Sequence, residues 1–416
     1  MAIPNNISQN VITYNKANLA WLQNLNCFVS TFNTKFKDFQ KANPANLGDT
    51  ISFDKPPRFV AGDSLVVDFQ AYEQRTQTLT VDRAKHVGID VTAQQLIFNV
   101  EDYMDRFGKG AIMELSAVVE ADVAQVCEIY PYRFFGDGIT SINSFEQLAQ
   151  MLAQFRTFGS AKYDTKGYLS DLSIPNVVNG GLNQFVMDRN NVMANSWELG
   201  AFAKCDWYSS NLLPIHVSGS EGIAQQTLTV VSTTTNSDGG VISITFSGTS
   251  AASDADSIKQ YDRGQFLDNV SGQANIRFLS FTGHKPIGAP VQFQATADAA
   301  STGGSQVTVT ITPPLQAAAG KNQKISRSIV AGRQVKFLPT HRAGMVHSGN
   351  QAYLAMPPLP STDPFTNSVA TDMDTGVSLR MYTGAQFGQN LYGTVHDVIW
   401  GKTVVPDNAM AIIYPV

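Results

Sequence analysis

Polar and apolar residues alternate along two stretches near the N-terminus, Thr50–Asp54 and Thr76–Thr92, with the period of two that is typical of a half-buried strand. Pro56 and Pro57 follow the first stretch and remove two backbone donors, so this segment cannot lie in the middle of a sheet. The pattern predicts an extended β-ribbon loop over residues 48–92. Because a two-stranded ribbon is barely stable alone, we expect it to pack on another surface, in this chain or in a neighbouring copy.

Helical spacing of apolar residues predicts three further elements. An amphipathic N-terminal arm occupies residues 1–47, and a second helix is predicted over Phe145–Phe158. The longest predicted helix begins near Asn99, which is a plausible cap, and ends near Pro131. Its apolar stripe includes Phe107, Leu115 and Val119, whereas Glu114 and Glu120 are expected on its solvated face.

The composition changes near residue 218. Residues 218–327 are rich in Thr, Ser, Val and Gly, and short alternating runs such as "VISITFSG" and "SQVTVTITP" are separated by turn signals such as "NSDGG". This pattern is typical of a small all-β barrel or sandwich. Residues 93–217 and 328–416 share a mixed α+β character, so the β-rich segment is predicted to be an insertion into one α+β domain that ends in antiparallel C-terminal strands.

Composition narrows the class of protein. The chain has 416 residues, 43% of them hydrophobic and 15% charged, as in a globular protein of two or three domains. Its net charge of −5 argues against a dominant basic face that grips nucleic acid. The start "MAIPNNISQN" predicts no secretory signal, and no apolar run is long enough for a membrane span. Three dispersed cysteines are expected to be reduced, buried thiols.

Motifs for catalysis, cofactors and metals are weak. Nucleotide-binding, hydrolase and zinc-protease motifs are absent, and "FGKGA" at Phe107 is only a partial phosphate loop. His341 and His347 lack Cys or carboxylate neighbours at ligand spacing. "TDMDTG" has Thr383 where a calcium loop needs a glutamate. We therefore predict no catalytic, cofactor or metal site and expect a protein that is not an enzyme.

The order of these elements resembles the major capsid proteins of tailed bacteriophages, which share the Hong Kong 97 fold. The nearest branch is similar to the coat proteins of short-tailed Salmonella-type phages, which carry an inserted β-barrel domain. The stretches that carry the resemblance are spread over most of the chain: "GDTISFDKPPRF", "KHVGIDVTAQQLIFNVEDYMDRF", "AIMELSAVVEADVAQ", "GAFAKCDWYSSNLLPIHVSG", "DNVSGQANIRFLSFTG", "QVTVTITPPL" and "VHDVIWGKTVVPDNAMAI".

The resemblance implies a function and partners. The chain would self-assemble as hexamers and pentamers of an icosahedral head, with a separate scaffolding protein and a portal protein, in the cytoplasm of the host bacterium. The virion shell would enclose double-stranded DNA without reading its sequence. The ribbon would lie over the adjacent subunit, which makes its residues the candidates for contacts between subunits: Phe53, Lys55, Pro56, Pro57, Arg58 and Phe59.

Two other classes of protein compete with this interpretation. A secreted or surface-layer β-rich adhesin would suit the Ser/Thr-rich insertion, but it predicts a signal peptide and calcium-ligand repeats, which the sequence lacks. A hydrolase with a carbohydrate-binding module predicts paired carboxylates in a cleft, and no such pair is evident.

Overall fold

The computed structural model describes residues 15–20, 22, 27–34, 48–55, 58–61, 69–70, 74–92, 108–159, 164–177, 200–281, 283–349, 351–360, 367–372, 377–385 and 391–416. Its helices are α1 Cys27–Thr31, α2 Lys109–Ala124, α3 Val126–Ile129, α4 Phe145–Thr157, α5 Ile174–Val177 and α6 Ser220–Ile223. Its strands are β1 Thr50–Lys55, β2 Arg75–Thr80, β3 Arg83–Thr92, β4 Phe134–Phe135, β5 Thr165–Ser170, β6 Gly200–Phe202, β7 Cys205–Ser210, β8 Ile215–His216, β9 Thr227–Thr235, β10 Val241–Ser247, β11 Asp254–Ile258, β12 Arg263–Phe266, β13 Arg277–Leu279, β14 Pro286–Pro290, β15 Gln292–Ala295, β16 Ala299–Thr302, β17 Gln306–Leu315, β18 Gln334–Phe337, β19 His341–Ser348, β20 Ala352–Ala355, β21 Asn367–Thr371, β22 Ser378–Ala385, β23 Leu391–Val404 and β24 Ala409–Pro415.

The chain divides into two compact units. The first comprises residues 1–53, 76–126 and 349–404, and the second comprises residues 54–75, 127–348 and 405–416. The predicted segment 93–217 is therefore divided after Val126, at the end of the long helix. The predicted segment 328–416 is likewise shared, because the second unit takes back the last strand, β24.

The first unit is an antiparallel sheet with one long helix on it. The strands run in the order β20, β23, β22, β21, and β3 pairs with Leu391–Trp400 of β23. Helix α2 packs against β3 and β23, with Leu115 and Val119 buried. The indole Nε1 of Trp400 on β23 donates a hydrogen bond to Asp122 Oδ2 on the helix, 2.8 Å away. Burial of this apolar stripe is the main source of helix stability here.

One expectation about this helix is wrong. Glu120 is 4% exposed, because α1 covers it: Cys27 Sγ donates to Glu120 Oε1 at 2.8 Å and Phe28 N donates to Oε2 at 3.3 Å. Glu114 is exposed, as expected. Burial raises the pKa of Glu120, although the hydrogen bonds from α1 oppose that shift. The helix is also interrupted at Gln125, while its predicted start, with Asn99 and Phe107, lies outside the described residues.

The second unit combines a closed barrel and a mixed sheet. Six strands close the barrel in the order β10, β9, β18, β12, β15, β17, and β17 pairs back onto β10. Strict alternation in β17 places Val307, Val309 and Ile311 in its core beside the Phe246, Phe293 and Phe337 rings. The mixed sheet has the order β4, β24, β19, β5, β7, β6, with β8 beside β19 and α4 packed on it.

The barrel extends past its predicted end. Strand β18, Gln334–Phe337, pairs with both β9 and β12, so the segment 218–327 lacks one of the six closing strands. A fragment of residues 218–327 is therefore expected to expose two unpaired strand edges and to aggregate. A fragment of residues 218–340 is expected to fold, with a dispersed amide NMR spectrum. Dispersed spectra from the shorter fragment would show that β18 is dispensable.

In the part of the chain that the structure describes, no helix is both long and apolar enough to span a membrane.

Candidate interaction site at the base of the ribbon

One face of the ribbon of β1 and β2 packs on its own chain, where Leu79 is buried, and the other face is exposed. Residues of β1 alternate between exposed and half-buried, so neither of its faces is fully buried. Phe53 is half-buried and stacks on the Tyr353 ring, with 4.3 Å between centroids. Phe59 beyond the ribbon is 55% exposed, and Phe69 is 91% exposed. Pro56 and Pro57 lie outside the described residues.

Between β1 and β2, the structure describes residues 58–61, 69–70 and 74, which belong to the loop that joins the two strands. Val60 N donates to Gln70 Oε1 at 3.0 Å, which ties the two legs of the loop together. At the foot of the loop, the Gln74 amide donates to Asp54 Oδ1 at 2.8 Å. These contacts hold the legs side by side, so Lys55, Arg58 and Arg75 all lie at the base.

Arg58 anchors one leg of the loop in a buried position. Its side chain is 10% exposed, its NH2 group donates to Asp407 Oδ2 at 2.7 Å, and its guanidinium lies 3.9 Å from the centroid of the Phe281 ring. The NH1 group is buried and has no hydrogen-bond partner among the described residues. One of the residues predicted to contact a neighbouring subunit is thus fixed, through its other nitrogen, inside its own chain.

Asp407 is the centre of this arrangement. The carboxylate accepts a hydrogen bond from Tyr132 Oη at 2.9 Å, and Lys324 Nζ lies 3.8 Å away. Arg133 donates to the Asp407 carbonyl at 2.9 Å, with its guanidinium over the Phe158 ring. Burial alone would raise the pKa of Asp407, but the charges of Lys324 and Arg58 and the Tyr132 hydrogen bond hold it well below its usual range.

The cations near Asp407 form what we call the basic cluster: Lys55, Arg58, Arg75 and Lys324. Burial lowers the pKa of Lys324 to about 8; Asp407 opposes that shift, while Arg58, Arg75 and Lys55 add to it by repulsion. The pKa of Lys55 is also lowered, by burial and by repulsion from Arg75 and Arg58, against the opposing effect of Asp407. These cations are close enough to destabilise one another.

A second buried polar network lies where the barrel joins the mixed sheet. His216 on β8 is 3% exposed, and its Nδ1 and Nε2 atoms each lie 2.7 Å from a carboxylate, of Glu128 and Asp262 respectively. Asp262 also accepts from Ser218 Oγ at 2.8 Å. Because both ring nitrogens face acceptors, the imidazole must carry two protons to satisfy both.

Arg263 links the barrel to helix α3 and the residues that follow it. Its guanidinium is fully buried and donates to the carbonyls of Cys127, Glu128 and Pro131 at 2.9 to 3.1 Å. Its NH1 group also lies 2.9 Å from His341 Nε2. Burial, together with the charge of Arg263, lowers the pKa of His341 to about 3, so that ring is neutral and accepts the hydrogen bond.

The His216 network predicts that stability falls as pH rises above the ordinary histidine pKa of about 6.5. Burial alone would lower the pKa of His216, but the hydrogen bonds to Asp262 and Glu128 outweigh it and raise the pKa. The imidazolium therefore stabilises the fold fully below the unfolded value of about 6.5, and this contribution is lost as pH rises through the folded pKa. We expect thermal unfolding scans of His216→Gln to lose that part of the pH dependence. His86→Gln, at an exposed position on β3, is the control and should keep it.

The other residues that the sequence offers as candidates for catalysis or metal binding have the following positions and contacts. Cys127 and Cys205 are buried, and Cys27 is half-buried. His347 stacks on Tyr168, with 5.6 Å between ring centroids. Among the described residues, no group of His, Cys, Asp or Glu is arranged to hold a metal ion. Lys109 of "FGKGA" begins helix α2, and Asp374 of "TDMDTG" lies outside the described residues.

The comparisons with known proteins give matches only at the level of structure. No protein-family model and no curated protein matches this sequence. A structure from Mycobacterium phage Che8 is 8% identical, with 93% of this chain and 90% of that chain covered and a TM-score of 0.45. The capsid of Ralstonia phage GP4 is 8% identical (92% and 86% covered, TM-score 0.45). The capsid of cyanophage Pam1 is 8% identical (92% and 88% covered, TM-score 0.44).

Proposed function

We propose that this chain is the repeating subunit of a capsid shell, the major capsid protein of a tailed bacteriophage. The observation that carries the proposal is the ribbon with its loop. Two strands that have one face exposed, continued by exposed Phe59 and Phe69, favour packing against a partner surface. In a protein made of many copies, the adjacent copy supplies that surface.

The other features of the chain are compatible with this role. Asp407, His216 and Arg263 are largely buried ionisable groups that pair with other side chains and with backbone carbonyls, which suits a protein with a structural role. The order of ribbon, long helix, inserted barrel and C-terminal strands agrees with the Hong Kong 97 fold that the sequence resembles. A net charge of −5 suits a wall along which DNA must move without being held.

The finer parts of the proposal follow from the same resemblance. A separate scaffolding protein would set the curvature of the shell during assembly in the host cytoplasm, and a portal protein would occupy one vertex. The mature virion would enclose double-stranded DNA, with hexamers and pentamers of this chain as its building units and no membrane.

Electron microscopy and sedimentation velocity of the purified full-length chain test the proposal. We expect closed particles of uniform diameter, either from the chain alone or after co-production with its scaffolding protein. A chain that remains monomeric under both conditions and at high concentration would contradict the proposed function.

A further inference from the structure

The basic cluster holds more positive charge than its own chain neutralises. Asp407 forms ion pairs with Arg58 at 2.7 Å and with Lys324 at 3.8 Å, while Lys55 ends β1 and Arg75 begins β2 at the base of the loop. Among the described residues, no carboxylate forms an ion pair with Lys55 or Arg75. Cations that are partly removed from water without a counter-ion are costly, so the cluster favours binding of a further anion.

Part of the charged group of Arg58 lacks a hydrogen-bond partner. Its side chain is 10% exposed, and one of its two terminal nitrogens is buried without a hydrogen-bond partner among the described residues. A guanidinium can bind a carboxylate with one nitrogen while the other donates to a second oxyanion. Arg58 thus has one nitrogen satisfied by Asp407 and one buried without a partner, and the half-buried Lys55 and Arg75 are the cations of the cluster that a second copy can reach.

The sequence of the loop suggests which anion this is. Residues 61–74, "AGDSLVVDFQAYEQ", contain Asp63, Asp68 and Glu73 and no lysine or arginine. The base of the same loop carries Lys55, Arg58 and Arg75. The cations are therefore confined to the ends of the loop, where Asp54 also lies, and the segment between them carries carboxylates only.

We propose that the basic cluster of one copy binds the acidic segment, residues 61–74, of a second copy of this chain. This inference rests on the proposed function, since it requires the loop to reach an adjacent subunit. The contact is head-to-tail: each copy offers an acidic segment to one neighbour and a basic cluster to the other, which closes a ring. Exposed Phe69, beside Asp68, adds apolar surface that the neighbour buries.

Phosphate groups of nucleic acid are the other class of anion that such a cluster could bind. The observations favour the carboxylates. The four cations and one carboxylate of the cluster sum to +3. Because the net charge of the chain is −5, the residues outside the cluster carry −8, and a second copy therefore offers abundant negative charge. An overall acidic protein also repels the phosphate backbone.

Charge reversal tests the proposal on the full-length chain. The base-reversed variant is Lys55→Glu with Arg75→Glu, which leaves the more deeply buried Arg58 in place. The tip-reversed variant is Asp63→Lys with Asp68→Lys and Glu73→Lys. The control is Lys285→Glu with Arg327→Glu, which changes the charge by the same amount as the base-reversed variant, at exposed positions. Circular dichroism establishes that each variant is folded before particles are counted by electron microscopy.

We expect each reversed variant to form about tenfold fewer particles than the wild type, or still fewer, because like charges then meet at every contact. The control should assemble normally. Mixing the two reversed variants should give more particles than either variant alone, since the acidic base of one meets the basic segment of the other at every contact of an alternating hexamer and at up to four of the five contacts of a pentamer. Carrying both reversals in a single chain should restore it as well.

The possible outcomes distinguish failure of the proposed contact from failure of the proposed function. If the wild type assembles and both reversed variants assemble equally well, the contact is absent and the inference fails. If the combined chain is restored but the mixture gives no more particles than either variant alone, the contact lies within one chain. If only the base-reversed variant is defective and it alone loses binding of a fluorescent double-stranded DNA oligonucleotide, the cluster binds phosphate. If the wild type forms no particles, the proposed function fails together with this inference.

Discussion

Asp407→Asn is expected to lower the free energy of unfolding by about 3–5 kcal/mol, the usual cost of removing one member of a buried ion pair. The substitution keeps the size of the side chain but leaves Arg58 and Lys324 without their shared counter-ion and with the remaining cations still nearby. Urea unfolding followed by circular dichroism measures the loss. A domain is stable by only about 5–15 kcal/mol, so the variant should be close to unfolding at 37 °C.

Asp268→Asn is the matched control. Asp268 pairs with Arg277, but their side chains are 33% and 23% exposed, and a pair of this kind contributes about 0–1 kcal/mol. The pH dependence gives a second check. Because the pKa of Asp407 is lowered, its stabilising effect is present above about pH 4 and is lost as pH falls towards the folded pKa. Equal stability losses for Asp407→Asn and Asp268→Asn would contradict the central role of Asp407.

Leu115→Ala is expected to cost about 2–5 kcal/mol, because it leaves a cavity where helix α2 packs on its sheet. Leu115 is 1% exposed, and its helix contacts β3 and β23. Chains carrying this change should aggregate when produced at 37 °C and should be partly rescued at lower temperature, where unfolding is slower. The measurement is the soluble yield at two temperatures.

Glu114→Ala, one position earlier on the exposed face, provides the control. It should fold with a normal yield, since substitutions at exposed positions usually change stability by less than about 0.5 kcal/mol. A normal yield for Leu115→Ala together with insoluble Glu114→Ala would mean that the helix is rotated relative to the structure described here.

Much of the local structure could be predicted from the sequence because its periodicity is strong. The segment "SQVTVTITP" alternates without a break, and strand β17 has its apolar residues buried in the same order. Helix α4 agrees with the predicted helix to within one residue, helped by Ser144, whose side chain accepts a hydrogen bond from Gln147 N at its start. In both cases each residue is placed by its near neighbours.

The candidate site could not be predicted in this way. Arg58 and Asp407 are 349 residues apart in sequence, and neither has a local pattern that indicates a buried partner. Glu120 likewise sits at a polar position of its helix and is buried only because α1 covers it. The loop has acidic residues between basic ends, and this pattern can be read from the sequence. It indicates a site only once the fold places Asp407 beside the basic residues.

The place where the chain enters and leaves the barrel has an evolutionary consequence. His216 on β8 and His341 on β19 are directly opposite each other in an antiparallel pair, so the chain enters and leaves the barrel at adjacent points. A single recombination event could therefore add or remove the barrel as a cassette without separating the flanking strands. Removal would nevertheless take away Arg263, and with it the donors for the carbonyls of Cys127, Glu128 and Pro131. Without the barrel, those three carbonyls would need water or other residues as donors.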